Sequence, residues 1–157
     1  MAIDRVFTSN DKANLFNKLS KTYQKTGDGI FNNNKDLFLF AVSLGYKHKK
    51  KIPLLKKENE IHLSVFQKSK DNLDYIDLVA LGHTKDVYIL DWNDDEVVNT
   101  KLTILEEYAN GGLEIIEERL FNNNTDIYDN LLQLLNSELK GKSSNLDIGK
   151  LDIKEMI

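Results

Sequence analysis

Three histidines, a run of lysines and a few carboxylate clusters are the residues of this chain whose types and spacing could do chemistry. His48, His62 and His83 stand apart, with no second ligand at metal spacing and no His-Glu-x-x-His pair. There is no cysteine, which removes disulfides, thiolate metal sites and thiol nucleophiles together. The Walker lysine loop, the dinucleotide glycine fingerprint and the Gly-x-Ser-x-Gly elbow are all missing. Asp94, Asp95 and Glu96 could hold a cation, but consecutive carboxylates ahead of a helix more often complement its positive N-terminus. Asp152-Ile153-Lys154 has the acidic-x-Lys form of metal-dependent nucleases, yet it stands three residues from the end of the sequence, a poor place for a core catalytic strand. The expectation is a protein without catalysis, metal or cofactor. A small nuclease with a diverged site is the weakest alternative.

The lysines carry more information. Lys47, Lys49, Lys50, Lys51, Lys56 and Lys57 form the densest basic stretch, with His48 inside it and Tyr46 beside it. Loop lysines contact phosphates without reading sequence, and a tyrosine could stack on a base. Loops also collect lysine for solubility alone. The six lysines are nevertheless the candidate contacts to duplex DNA. Residues 1–70 hold 14 Lys/Arg against 6 Asp/Glu, and residues 71–157 hold 7 against 19, so the halves carry +8 and −12. That asymmetry fits a basic face for an anionic partner and an acidic face for a protein. It fits equally well two halves that attract each other within the fold.

The elements that must position these residues follow from hydrophobic spacing. Arg5 to Ser9 reads as extended. Ser9 or Asn10 then caps a helix striped by Leu15, Phe16, Leu19 and Tyr23, and Gly27 and Gly29 close that region as a loop. Asn32 to Asn34 precede an apolar segment, Lys35 to Leu44, that reads as a buried helix stopped by Gly45, with a buried strand as the alternative. The lysine stretch, interrupted by Pro53, reads as an exposed loop. Ile61, Leu63 and Val65 alternate as in a strand, and Leu73 to Leu81 suggest a helix ending at Gly82. Val87 to Leu90 is a brief apolar patch, and Asp91 to Asp95 form a turn that caps the next helix.

That helix has the clearest pattern: Val98, Leu102, Leu105, Ala109, Leu113, Ile116 and Leu120 make a stripe of about six turns. Gly111 and Gly112 lie inside it at a cost of roughly 1 kcal/mol each. Close approach of a neighbouring backbone is the commoner reason for such a pair, ahead of a kink or a ligand-facing patch. A last helix, Thr125 to Leu139, has Ile127, Leu131, Leu134, Leu135 and Leu139 as its core face. A polar linker follows, then Leu146, Ile148, Leu151 and Ile153, whose alternation suits strand addition to an exposed edge, of a partner or of the protein's own surface.

These elements predict a mainly α, compact helical domain over 1–140 with short strands, and a C-terminal tail over 141–157. The N-terminal strand, helix, helix order is like a ribbon-helix-helix unit, in which paired strands of a homodimer enter the major groove. Arg5 and Thr8 would then be the readers. Met1 to Asn10 is polar, and the longest apolar run is Leu37 to Val42, far below the roughly 20 residues of a membrane span. The expected location is cytoplasmic, with no membrane contact.

Glu106-Glu107-Tyr108-Ala109-Asn110-Gly111-Gly112-Leu113-Glu114 resembles the signature of the DNA phosphorothioation (Dnd) system-associated protein 4 family. Lys35-Asp36-Leu37 through Phe40-Ala41, then Leu44-Gly45-Tyr46-Lys47, is similar to that family's first block, and Tyr75 to Leu90 is compatible with it. The resemblance covers about residues 5–135 and leaves the tail outside. It transfers no catalytic residues. It implies a setting of DNA modification, restriction and antiphage defence, with DNA or other proteins of the system as partners. The reading is an accessory that contacts DNA or assembles the complex. The rival is a protein–protein adaptor or regulator without DNA affinity.

Overall fold

The computed structural model describes residues 3–21 and 29–143. The chain divides into two units, Met1–Ile116 and Glu117–Ile157. The first contains β1 (Arg5–Ser9), α1 (Ala13–Leu19), α2 (Asn34–Lys47), β2 (Lys57–His62), α3 (Leu63–Gln67), α4 (Lys70–Thr84) and most of α5 (Asp95–Phe121). The second holds the last turn of α5 and α6 (Ile127–Ser143). The architecture is mainly α, as expected, with one antiparallel pair of strands.

The stripe of α5 is the core. All seven of its residues, from Val98 to Leu120, are buried. The helix starts where the acidic turn predicts, because the Asp94 carboxylate accepts from the N–H groups of Glu96 (2.9 Å) and Val97 (3.3 Å). Asp94 is thus committed to capping. One polar cluster is partly buried in this unit. Lys101, fully buried, donates to Asp77 of α4 at 2.6 Å and sits 3.7 Å over the Trp92 ring. The Trp92 indole N–H donates to the other oxygen of Asp77 at 3.1 Å.

Gly45 and Gly82 do not stop their helices. Helix α2 continues to Lys47 and α4 to Thr84. A methyl group at Gly45 would strike the carbonyl oxygen of Tyr108, one at Gly112 the carbonyl of Ala41, and one at Gly111 the carbonyl of Lys50. Glycine here removes a side chain so that α2 and α5 can cross with their backbones touching. Close packing is therefore the role of Gly111 and Gly112.

The strand expected at Ile61 to Val65 lies earlier. β2 ends at His62, and Leu63 and Phe66 are buried at the i, i+3 spacing of the short helix α3. β1 pairs with β2 of the same chain: Val6 faces Ile61 and Thr8 faces Glu58. An extra residue bulges from β2 where Asn59 takes φ 49°. This pairing overturns the ribbon-helix-helix reading, which needs β1 to pair with the strand of a second chain. Its proposed readers are also engaged, Arg5 by Asp4 and Glu60 and the Thr8 hydroxyl by the Glu58 carbonyl. Ser9 does not cap α1. Its hydroxyl oxygen accepts from the N–H of Leu55 at 3.1 Å, and a 3-10 turn at Asn10–Lys12 precedes the helix.

In α2 the expected asparagine cap is Asn33, which accepts from the Asp36 N–H at 2.9 Å. In α6 only Leu134 of the expected face is fully buried. Ile127 and Leu131 are half-buried, and Leu135 and Leu139 are exposed. The buried polar residue there is Asn130, whose amide donates to Leu120, Asn123 and Thr125 and ties up the preceding turn. Tyr23, Gly27, Leu146, Ile148, Leu151 and Ile153 lie outside the described residues.

Candidate functional site

The block Glu106–Glu114 and the lysine stretch are two sides of one assembly. The Glu107 carbonyl accepts from the N–H of Ile52 at 3.0 Å, and the Asn110 amide donates to the carbonyls of Ile52 (3.2 Å) and Pro53 (3.1 Å). Gly111 lets the Lys50 carbonyl lie against α5. Three lysines then meet carboxylates of the block: Lys50 with Glu114 (3.3 Å), Lys51 with Glu107 (3.0 Å) and Lys57 with Glu106 (3.4 Å). On its far side the stretch is tied by Leu55 to Ser9 and by the Asn10 N–H to the Lys56 carbonyl (2.9 Å). The stretch is exposed as expected, but strapped along most of its length.

Glu106 anchors the start of the block. It is 4% exposed and accepts from the Phe7 N–H at 2.9 Å, the amide that faces the bulge in β2. Burial pushes its carboxyl above the ordinary range, against the opposing pull of the Phe7 N–H and Lys57.

What the strap leaves over is a cleft of about 480 Å³, lined by Tyr46, Lys47, Lys49, Gly82, His83, Lys85 and Tyr108. Its volume is that of a small-ligand site. Among the described residues, no carboxylate lines it. His83 Nδ1 lies 2.7 Å from the Tyr108 hydroxyl, in a hydrogen bond whose direction follows the imidazole tautomer. Desolvation raises the Tyr108 pKa, so the phenol keeps its proton at neutral pH. Tyr46 meets the Tyr108 ring edge-on at 5.5 Å, over Gly82, where a methyl would strike its hydroxyl.

Two of the lysines stand in unusual backbone. Lys49, just past the end of α2, has φ 53°, and Lys85, at the end of α4, has φ 58°. Glycine is the usual residue at such helix ends, since a left-handed backbone costs other residues about 1–2 kcal/mol. A lysine earlier in the last turn would complement the helix dipole without that cost. Among the described residues neither side chain meets a carboxylate. Ammonium groups, phenols and an imidazole, with no carboxylate among the described lining residues, are the chemistry that suits an anion.

Of the six predicted lysines, the structure brings Lys47 and Lys49 to this cleft, turns Lys50, Lys51 and Lys57 toward α5, and leaves Lys56 exposed. Sequence reasoning missed Lys85 and Tyr108 and treated His83 as isolated. The partner of His83 lies 25 residues away on another helix, a distance no local motif spans. Among the described residues, no group of three or more His, Asp or Glu is placed to hold a metal. None of the helices there is long and apolar enough to cross a membrane.

Fold and site together define a small, mainly helical protein whose basic segment is strapped to a glycine-bearing helix beside a lysine-lined cleft. Residues 5–154 match the family model described as DNA sulphur modification system-associated protein 4, and the chain belongs to that family. The match runs past residue 135 into the Leu-Asp-Ile stretch, which is therefore part of the family's extent. No curated protein and no solved structure matches.

Proposed function

We propose that this protein is a non-catalytic accessory of a DNA sulphur modification system, which contacts duplex DNA through the phosphate backbone at the Lys47, Lys49 and Lys85 cleft. The observation that supports this most is the placement of Lys49 and Lys85 in left-handed backbone, both lining one cleft that no carboxylate lines among the described residues. Lysines held this way supply charge without sequence readout, so the contact serves any sequence, as an accessory of a modification or antiphage restriction complex requires. It would act in the cytoplasm, where the DNA is. A different face suits protein partners. Asp86, Asp94 and Glu96 have no ion pair among the described residues and line a hollow with Tyr88, 77% accessible.

Affinity for a short duplex, measured by fluorescence anisotropy across salt concentration, tests the DNA contact. Two to three phosphate contacts should give a log–log slope of roughly −2 to −3. Sequence should matter little. One observation favours the adaptor reading: Lys50, Lys51 and Lys57 already have carboxylate partners. Absence of duplex binding near about 50 mM salt would overturn the DNA contact and put the adaptor first.

A further inference from the structure

Tyr46, which lines the lysine cleft, also lines a second hollow of about 380 Å³ with Ser43, Tyr75, Leu78 and Val79. The two hollows follow one another between α2 and α4. Ser43 and Tyr46 are three residues apart on α2, and on α4 Tyr75, Leu78 and Val79 are followed by Gly82 and His83. These are the three- and four-residue steps of one helix face. From Val79 to His83 the axis rises about 6 Å, a step that a single nucleotide can bridge between its phosphate and its base.

The chemistry changes along the groove. The cleft has the ammonium groups of Lys49 and Lys85, which meet no carboxylate among the described residues. The second hollow has the rings of Tyr46 and Tyr75 and the aliphatic Val79 and Leu78, the last 67% exposed. Covering that leucine with a flat apolar face is favourable. The Ser43 and Tyr75 hydroxyls bond to each other, and the Leu39 carbonyl lies 3.0 Å from the first and 3.4 Å from the second. Two hydroxyls carry two protons. One is used between them and one on the carbonyl, whichever way the chain runs, so what they have left is acceptor capacity. A flat ring with N–H donors on its edge, such as an amino-bearing nucleobase, fits both the walls and the acceptors.

We propose that the groove takes one unpaired nucleotide of a DNA strand, its phosphate at Lys49 and Lys85 and its base in the hollow against Tyr46. This rests on the phosphate contact proposed above and adds the base to it. A paired base is stacked on its neighbours with its edge engaged, so only a base that is unpaired or turned out of the duplex can enter.

Three duplexes of one sequence test the proposal by fluorescence anisotropy: fully paired, with one extra deoxyadenosine, and with an abasic residue at that extra position. The last two carry the same charge and differ only in the base. The unmodified protein should bind the deoxyadenosine bulge about tenfold more tightly than the abasic one. Tyr46→Ala and Leu78→Gln should each remove that preference and leave the salt slope unchanged, because the phosphate contacts remain. Leu78 is mostly exposed, so its variant tests the hollow even if Tyr46→Ala fails to give a helical circular dichroism spectrum. Equal affinity for the two bulges would overturn the proposal and leave the duplex contact standing. A preference that survives Leu78→Gln and a folded Tyr46→Ala would overturn it too, since the base would then sit elsewhere. Binding of the deoxyadenosine bulge without binding of the paired duplex would support the proposal and overturn the duplex contact. No binding of any of the three near about 50 mM salt would overturn both.

Discussion

At Lys49 and Lys85 the backbone takes a conformation that glycine adopts at lower cost, so stability and function should separate under substitution. Lys49→Gly and Lys85→Gly should each leave the fold as stable or more so, by up to about 1 kcal/mol in urea unfolding. Each should also weaken duplex binding. Loss of stability in both variants would mean that the side chains serve packing. Glu106 gives a second test, through pH. Its carboxyl is raised in the folded state, so the native protein binds that proton more tightly than the unfolded chain does. The stabilisation from protonation is complete below the ordinary value of 4.5 and is lost as pH rises through the raised folded value. Glu106→Gln keeps an acceptor for Phe7, and it should flatten the decline in stability as pH rises above 4.5. An unchanged pH profile would show that Glu106 does not contribute to it. Neither role was readable from the residues alone. Glu106 looked like one more acidic residue on a solvated helix face, because the N–H that reaches it belongs to a strand 99 positions away.

Helices were legible where periodicity was long, and illegible where glycine had two meanings. The stripe of α5 was readable because seven apolar residues at spacings of three and four leave one solution, and all seven are buried. The ends of α2 and α4 were misplaced because Gly45 and Gly82 have the chemistry of a stop signal, whereas tertiary contact uses them for close approach. The lysines in left-handed backbone then stand where glycine was expected. Gly112→Ala separates the two meanings. In an exposed helix it would gain about 1 kcal/mol, but here its methyl must push against the Ala41 carbonyl. The expected sign is destabilising, by about 1–3 kcal/mol. A more stable variant would show that the crossing can open at little cost. The buried ion pair between α4 and α5 is tested by Asp77→Ala, which leaves Lys101 without its carboxylate. The loss should be roughly 3–5 kcal/mol, followed by the fluorescence of Trp92, the single tryptophan of the chain. A loss under about 1 kcal/mol would show that water reaches Lys101 when the carboxylate is gone.

Charge at the scale of the whole molecule bears on the reading in which the two halves attract each other. Part of the basic half does attract the acidic half: three lysines of the strap meet Glu106, Glu107 and Glu114. Lys49 and Lys85, at the cleft, meet no carboxylate among the described residues. Counting residues could not distinguish them, since Lys49 and Lys50 are neighbours in sequence with opposite surroundings. A crossed pair of variants can. Changing Lys50, Lys51 and Lys57 together to Ser moves the net charge from −4 to −7, and changing Lys49 and Lys85 to Ser moves it to −6. Long-range repulsion from DNA is therefore nearly matched between them, and slightly worse in the strap variant. If the strap lysines are neutralised by their partners, their loss should cost stability, by about 1–2 kcal/mol for three partly exposed pairs. The salt slope of duplex binding should stay nearly constant. The cleft variant should behave in the opposite way, with the slope shallower by about two units and urea unfolding unchanged or slightly improved. Equal effects on slope would mean that DNA draws Lys50, Lys51 and Lys57 away from α5 on binding. The strap variant would then have to lose affinity without losing stability, a combination that fixed ion pairs do not permit.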